Sequence, residues 1–208
     1  MIRKRSLIRR GAAVAVAGTA ALVLAACGGS GDSTAGHNGH TATSASASAS
    51  ASQGQHNAAD TAFAQGMIPH HRQAVEMADL APSRAESAEV KKLAEQIKKA
   101  QDPEIKALSG WLTSWGEEVP AEGAMYHSAH GAGGMMTAEE MDQLEKASGS
   151  AFDTAFMELM IKHHEGAVAM AKTEKAEGAF PGAKKMADAI ITSQTTEITQ
   201  MNDLLGKS

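Results

Sequence analysis

Between residues 58 and 205 the apolar positions return at steps of three and four. No run alternates strictly enough to make a strand. In the first segment Asp60, Phe63, Met67, His70, His71, Ala74, Met77 and Ala78 fall on one helical face. The stretch from Glu89 to Leu112 predicts a second helix with Val90, Leu93, Ala94, Ile97, Ile105, Leu108 and Leu112 inward. Pro103 is expected to kink that helix or to restart it after Asp102. A Gly-rich connection over 119–136 follows. Thr137 with Glu140 then forms a capping-box pattern for a short helix, and Gly149 is its natural stop. Long periodic segments from Phe152 to about Lys175 and from Gly182 to Leu205 complete an all-α reading.

The pattern is duplicated. Residues 60–112 align without a gap on 153–205, with 20 of 53 positions identical. Chance at this composition gives roughly three to five. Twelve identities lie in the first 22 positions, around the shared Met-Ile-x-His-His stretches at Met67–His71 and Met160–His164. A lone helical hairpin exposes its apolar stripe, and two copies can bury each other's. A four-helix bundle with pseudo-twofold symmetry is the simplest product. Such symmetry would bring the two histidine pairs to comparable heights in the bundle.

The N-terminal segment changes the domain picture. Five positive charges in residues 1–10 precede an apolar run from Gly11 to Ala26, which is short and rich in Ala and Gly for a spanning helix. It ends in Leu24-Ala25-Ala26-Cys27, which resembles a bacterial lipoprotein signal with Cys27 as the lipidated first residue of the mature chain. A plain secretory signal is the alternative, and Arg9-Arg10 is a weak pointer to twin-arginine export. Cys27 is the single cysteine, which excludes a disulfide framework or a thiolate cluster. The expected domains are a signal at 1–26, a Ser/Ala-rich flexible tether at 27–57 and the helical domain at 58–208. The tether's His37, His40 and His56 are read as incidental. Without residues 1–26 the formal charge moves from −5 to −10, which argues against nucleic acid and leaves the lipid as the membrane partner. No protein partner is indicated, and self-association stays open.

Chemistry enters with the repeated pairs. Met67 lies three and four residues before His70 and His71, and Met160 stands in the same relation to His163 and His164, so each set shares a face. Imidazole with thioether suits copper, Cu(I) above all; imidazole alone also suits zinc or another divalent transition metal. Met77 and Met170 continue the face, and Met125, His127, His130, Met135 and Met136 in the connection make a candidate second site or lid. Bland alternatives exist for each. Methionines at helical spacing fill cores, as expected for Met77, Met157, Met170, Met186 and Met201, and a histidine pair can satisfy itself with Asp60, Asp153 or backbone. Pro69 removes one helical bond just before the first pair, while Lys162 holds the equivalent place in the second. No Glu-x-x-His di-iron pattern precedes any of the four histidines, and no phosphate loop, nucleophile elbow or His-Glu-x-x-His motif occurs; no enzyme is expected.

The stretches "FAQGMIPHHRQAVEMA", "GMMTAEEMDQLEKASGSAFDTAFMELMIKHHEGAVAMA" and "KKMADAIITSQTTEITQMNDLL" resemble the bacterial family called domain of unknown function 305, over about residues 58–206. The resemblance implies a ferritin-like four-helix bundle and an exported protein. It also implies copper binding or copper tolerance carried by His70, His71, His163 and His164, with Met67 and Met160 as companions. The expected function is an extracytoplasmic, lipid-anchored copper-binding protein for sequestration, tolerance or delivery. A non-metal interaction module of the envelope and a metal-dependent oxidase of unusual ligation are the alternatives.

Overall fold

The structure, a computed structural model, describes residues 55–123 and 133–207. The signal segment, Cys27, His37, His40 and the tether to residue 54 lie outside the described residues, as do Met125, His127 and His130. Among the described residues five helices follow in order: α1 (Ala58–Arg84), α2 (Ala88–Trp115), α3 (Ala138–Lys146), α4 (Gly149–Glu177) and α5 (Pro181–Leu204). Among the described residues there is no strand, and no helix is long and apolar enough to cross a membrane.

The caps explain the helix starts. Asn57 and Asp60 form a reciprocal capping box at α1, and Thr137 and Glu140 form the expected one at α3. Ser87 caps α2, and Pro181 opens α5, where a missing N–H costs nothing. Both prolines of α1, Pro69 and Pro82, lie inside one continuous helix, and α2 likewise runs through Pro103 without restarting. Buried residues on both sides of Pro69 and of Pro103 outweigh the single helical bond each removes, and Pro82 lies in the last turn of α1. The short helix stops at Lys146, before Gly149, which takes φ +64° at the first position of α4 instead. The fourth helix therefore begins three residues ahead of Phe152.

The helices pair as two hairpins, α1 with α2 and α4 with α5, and the hairpins meet chiefly through α1 against α4. This is the all-α bundle of two hairpins that the periodicity predicts. Its core is divided. One apolar cluster gathers the C-terminal half of α1 (Ala74, Met77, Ala78), the start of α2 (Val90, Leu93, Ile97) and the first half of α4 (Phe152, Phe156, Met160). The other gathers Phe63, Met67 and Ile68 from α1, Leu108 and Leu112 from α2, and Ala167, Ala171, Ala183, Ala187 and Ile190 from α4 and α5. His70 and His71, between Ile68 and Ala74 along α1, belong to neither; nor do His163 and His164 between Met160 and Ala167. A polar layer thus interrupts the core at mid-height.

The two ends are clamped by equivalent carboxylates. Asp153 accepts from the backbone N–H of Glu86 (3.1 Å) and Ser87 (2.8 Å) in the α1–α2 loop. Asp60 accepts from Ala179 (3.1 Å) and Phe180 (2.9 Å) in the α4–α5 loop. Each residue of one pair lies 93 positions from its counterpart in the other. Each hairpin therefore ties down the turn of the other.

Candidate metal centre

His70 and His163 face each other across the α1–α4 contact, their ring centroids 3.7 Å apart and the planes inclined by 44°. Both are fully buried, and none of their four ring nitrogens has a hydrogen-bond partner. Burial pulls His70 down to about 3, with the neighbouring His71 adding to the fall and the Gly133 carbonyl opposing it. His163 is held well below the usual range, by burial first and then by His70. The pair is neutral near pH 7, so each ring keeps one N–H and one free lone pair.

His71 and His164 are buried too, but each is oriented. His71 Nε2 lies 2.8 Å from Glu104 Oε2, and His164 Nε2 lies 2.6 Å from Glu197 Oε2. A carboxylate only accepts, so Nε2 carries the proton and Nδ1 presents the lone pair; both Nδ1 atoms are buried without a partner. A carboxylate behind an imidazole is the usual support of a metal-binding histidine. One turn before these glutamates sit Gln101 and Gln194, also buried, each with an orphaned Oε1. Eight partnerless nitrogen and oxygen atoms thus belong to the histidine pairs and these two glutamines, in residues related by the 93-position repeat. An unanswered buried polar atom costs about 1–3 kcal/mol. Native cores hold few of them, so a concentration in repeat-related residues calls for a ligand.

The predicted residues distribute around this layer. Met67 and Met160 are fully buried, one in each apolar cluster, so each motif's methionine flanks the layer from its own side. Met77 lies in the same cluster as Met160, and Met170 packs at the edge of the other, its Sδ against Gly66. Met157 and Met201 are buried and Met186 partly so, as core residues. Met136 is buried against the Met160 cluster, with Met135 beside it in the connection. His56, read as incidental in the tether, stacks on Trp115 at the far end of α2, centroids 4.4 Å apart.

Asp60 and Asp153 do not partner the histidines. Ten residues of helix place them about 15 Å from His70 and His163 along the axis, and their oxygens are taken by loop N–H groups. The partners are Glu104 and Glu197, which no local spacing reveals because they come from the second helix of each hairpin. A signal was present: Gln101 matches Gln194 and Glu104 matches Glu197 among the few identities of the second helices.

Among the described residues no three His, Cys, Asp or Glu side chains converge as a ready cage. The imidazoles of His70 and His163 are in contact, and Met67 and Met160 are buried in the apolar clusters to either side of the layer; imidazole and thioether are donor types that suit a soft ion.

The DUF305 profile, "Domain of unknown function", matches residues 60–205. A crystal structure of a DUF305 protein from Streptomyces coelicolor is 35% identical, with a TM-score of 0.65 over 72% of this chain and 93% of that one. CopM in its Cu(II)-bound form is 38% identical with a TM-score of 0.61, and in its Cu(I)-bound form 37% identical with 0.59. Each covers 70% of this chain and 94% of CopM. No curated protein matches the chain.

Proposed function

We propose that this chain, which belongs to the DUF305 family, binds copper, Cu(I) first, in the histidine layer at the middle of its bundle. The observation that carries the reading is the set of orphaned ring nitrogens on His70, His71, His163 and His164. A bound soft cation answers lone pairs that nothing in the protein answers. His70 and His163 would hold it, with His71 and His164 presented by Glu104 and Glu197, and Met67 and Met160 as soft neighbours. Copper supplies Lewis acidity toward imidazole and thioether; the protein supplies neutral, dry, preoriented donors. Support comes also from CopM, described in copper-bound and silver-bound forms.

The role is sequestration or delivery without turnover, at the outer face of the cell membrane, with lipid on Cys27 as the anchor. Zinc or another divalent ion is the weaker occupant, because the methionines favour a softer one. The test is a Cu(I) competition titration on residues 28–208, beside a variant with all four histidines changed to Ala and shown by circular dichroism to be folded. Tight binding in the parent that is lost in the variant is expected. Equal binding in both would overturn the assignment, and no binding in either would leave a protein-interaction module.

A further inference from the structure

The two histidine motifs are not equivalent on every side. Position 73 is Gln in the first copy, and its counterpart, 93 residues on, is Gly166. Both face the same piece of chain, residues 133–136, at the end of the connection between the hairpins. Gln73 Nε2 donates to the Met136 carbonyl (2.9 Å), and Gln73 Oε1 accepts from the Met136 N–H (2.7 Å). Gly166 has its backbone against Gly133: a Cβ there would overlap the Gly133 carbonyl. A Cβ on Gly134, which takes φ +90°, would overlap the Lys162 carbonyl and crowd the Gly166 backbone, so a side chain at either glycine would lift the segment away. These contacts lie one turn beyond His70 on α1 and one turn beyond His163 on α4. The segment therefore crosses both helices beside the facing histidines.

We propose that residues 133–136 form a seated strap over the His70–His163 pair, and that Gln73 and Gly166 are the positioning residues that hold it there and so govern how fast a bound ion leaves. The proposal rests on the metal reading above and adds its control of release. Two features support it. The Gln73 bonds satisfy both backbone groups of one buried residue, a bidentate clasp that a passing loop does not need. The glycines permit backbone-to-helix contact closer than any side chain allows.

The test uses the full chain and Ag(I) as the probe. Gln73→Ala removes only the clasp; Gly166→Ala displaces the strap sterically, so the first variant serves if the second fails to fold. Stoichiometry is measured by titration, release by stopped-flow transfer to a chelator, and strap seating by amide exchange at residues 133–136 in the metal-free protein. Expected are unchanged stoichiometry, faster exchange at Met136, and release about tenfold faster or more. Gln73→Asn, too short to reach both groups, should behave like Ala. Faster amide exchange with unchanged release would overturn the strap's role. So would unchanged exchange in a folded Gln73→Ala. If the parent takes up no Ag(I), the metal reading itself fails, and the exchange data then report separately whether the strap is seated.

Discussion

The ends and the middle of this bundle hold the same kind of feature, a buried polar residue duplicated by the repeat, and treat it in opposite ways. At the ends, Asp60 and Asp153 spend their oxygens on loop N–H groups of the opposite hairpin. At the middle, His70 and His163 are as deeply buried, yet no ring nitrogen is answered. Burial and polarity alone therefore do not mark a functional site. The difference lies in satisfaction: a polar group whose partners are all internal locks the fold, and one left open is shaped for something from outside.

That contrast can be broken most forcefully at the ends. Asp153→Ala strands the N–H groups of Glu86 and Ser87 and should cost about 2–5 kcal/mol, read as a fall in thermal midpoint by circular dichroism. Metal binding in the surviving folded protein should be unchanged. If Asp153→Ala instead abolished binding without destabilising the fold, the division between ends and middle would be wrong.

In the middle the next largest effect falls on the orienting carboxylates. Glu104→Gln and Glu197→Gln should each weaken Cu(I) affinity roughly ten- to a hundredfold, in competition titrations at fixed pH. Similar losses from the two variants are expected because the His71–Glu104 and His164–Glu197 contacts are equivalent. A loss from one alone would show that the ion sits off the pseudo-twofold axis.

A smaller effect of opposite sign sharpens the comparison. Changing both His70 and His163 to Leu replaces orphaned polar rings by apolar groups and should leave the metal-free protein as stable as the parent, or more so by about 1–2 kcal/mol. The parent should gain thermal stability on adding Ag(I), and the double variant should not. A metal-free double variant markedly less stable than the parent would mean that the histidine contact holds the bundle together.

How much of this was legible in the chain follows from the range of each interaction. The α1 face from Asp60 to Ala78 is set by a local period, and every residue predicted on it is buried. The capping box at Thr137 is local too, and it formed. Pro103 did not restart the helix, because buried residues on both sides of it, Ile97 and Leu108 among them, pack against other helices. The partners of the histidines were hidden for the same reason: His71 and Glu104 lie 33 residues apart on different helices, and only their placement in the hairpin joins them. The connection was read as a candidate lid, but its seating was hidden, since nothing in the sequence pairs Gly166 with Gly133 or Gln73 with Met136.

The smallest effect concerns a buried acid that one end has and the other lacks. Glu174 is buried beside Asp60, and its counterpart near Asp153 is Ala81. Neither Glu174 oxygen finds a donor, and burial, with Asp60 adding, pushes its carboxyl up to about 8. A proton retained on Glu174 lets it donate to Asp60, which is itself held below the usual carboxylate range by the Phe180 and Asn57 N–H groups despite its burial. The folded state thus binds a proton that the unfolded chain releases near its ordinary 4.5. Stability from this group is full below that value and declines as pH rises through about 8, by at most about 1.4 kcal/mol per pH unit. The thermal midpoint of the parent should therefore fall by a few degrees between pH 6 and pH 7 relative to Glu174→Gln, whose amide cannot ionise. Parallel curves for the two proteins over that interval would mean that Glu174 is ionised in the fold and that the two ends are clamped alike.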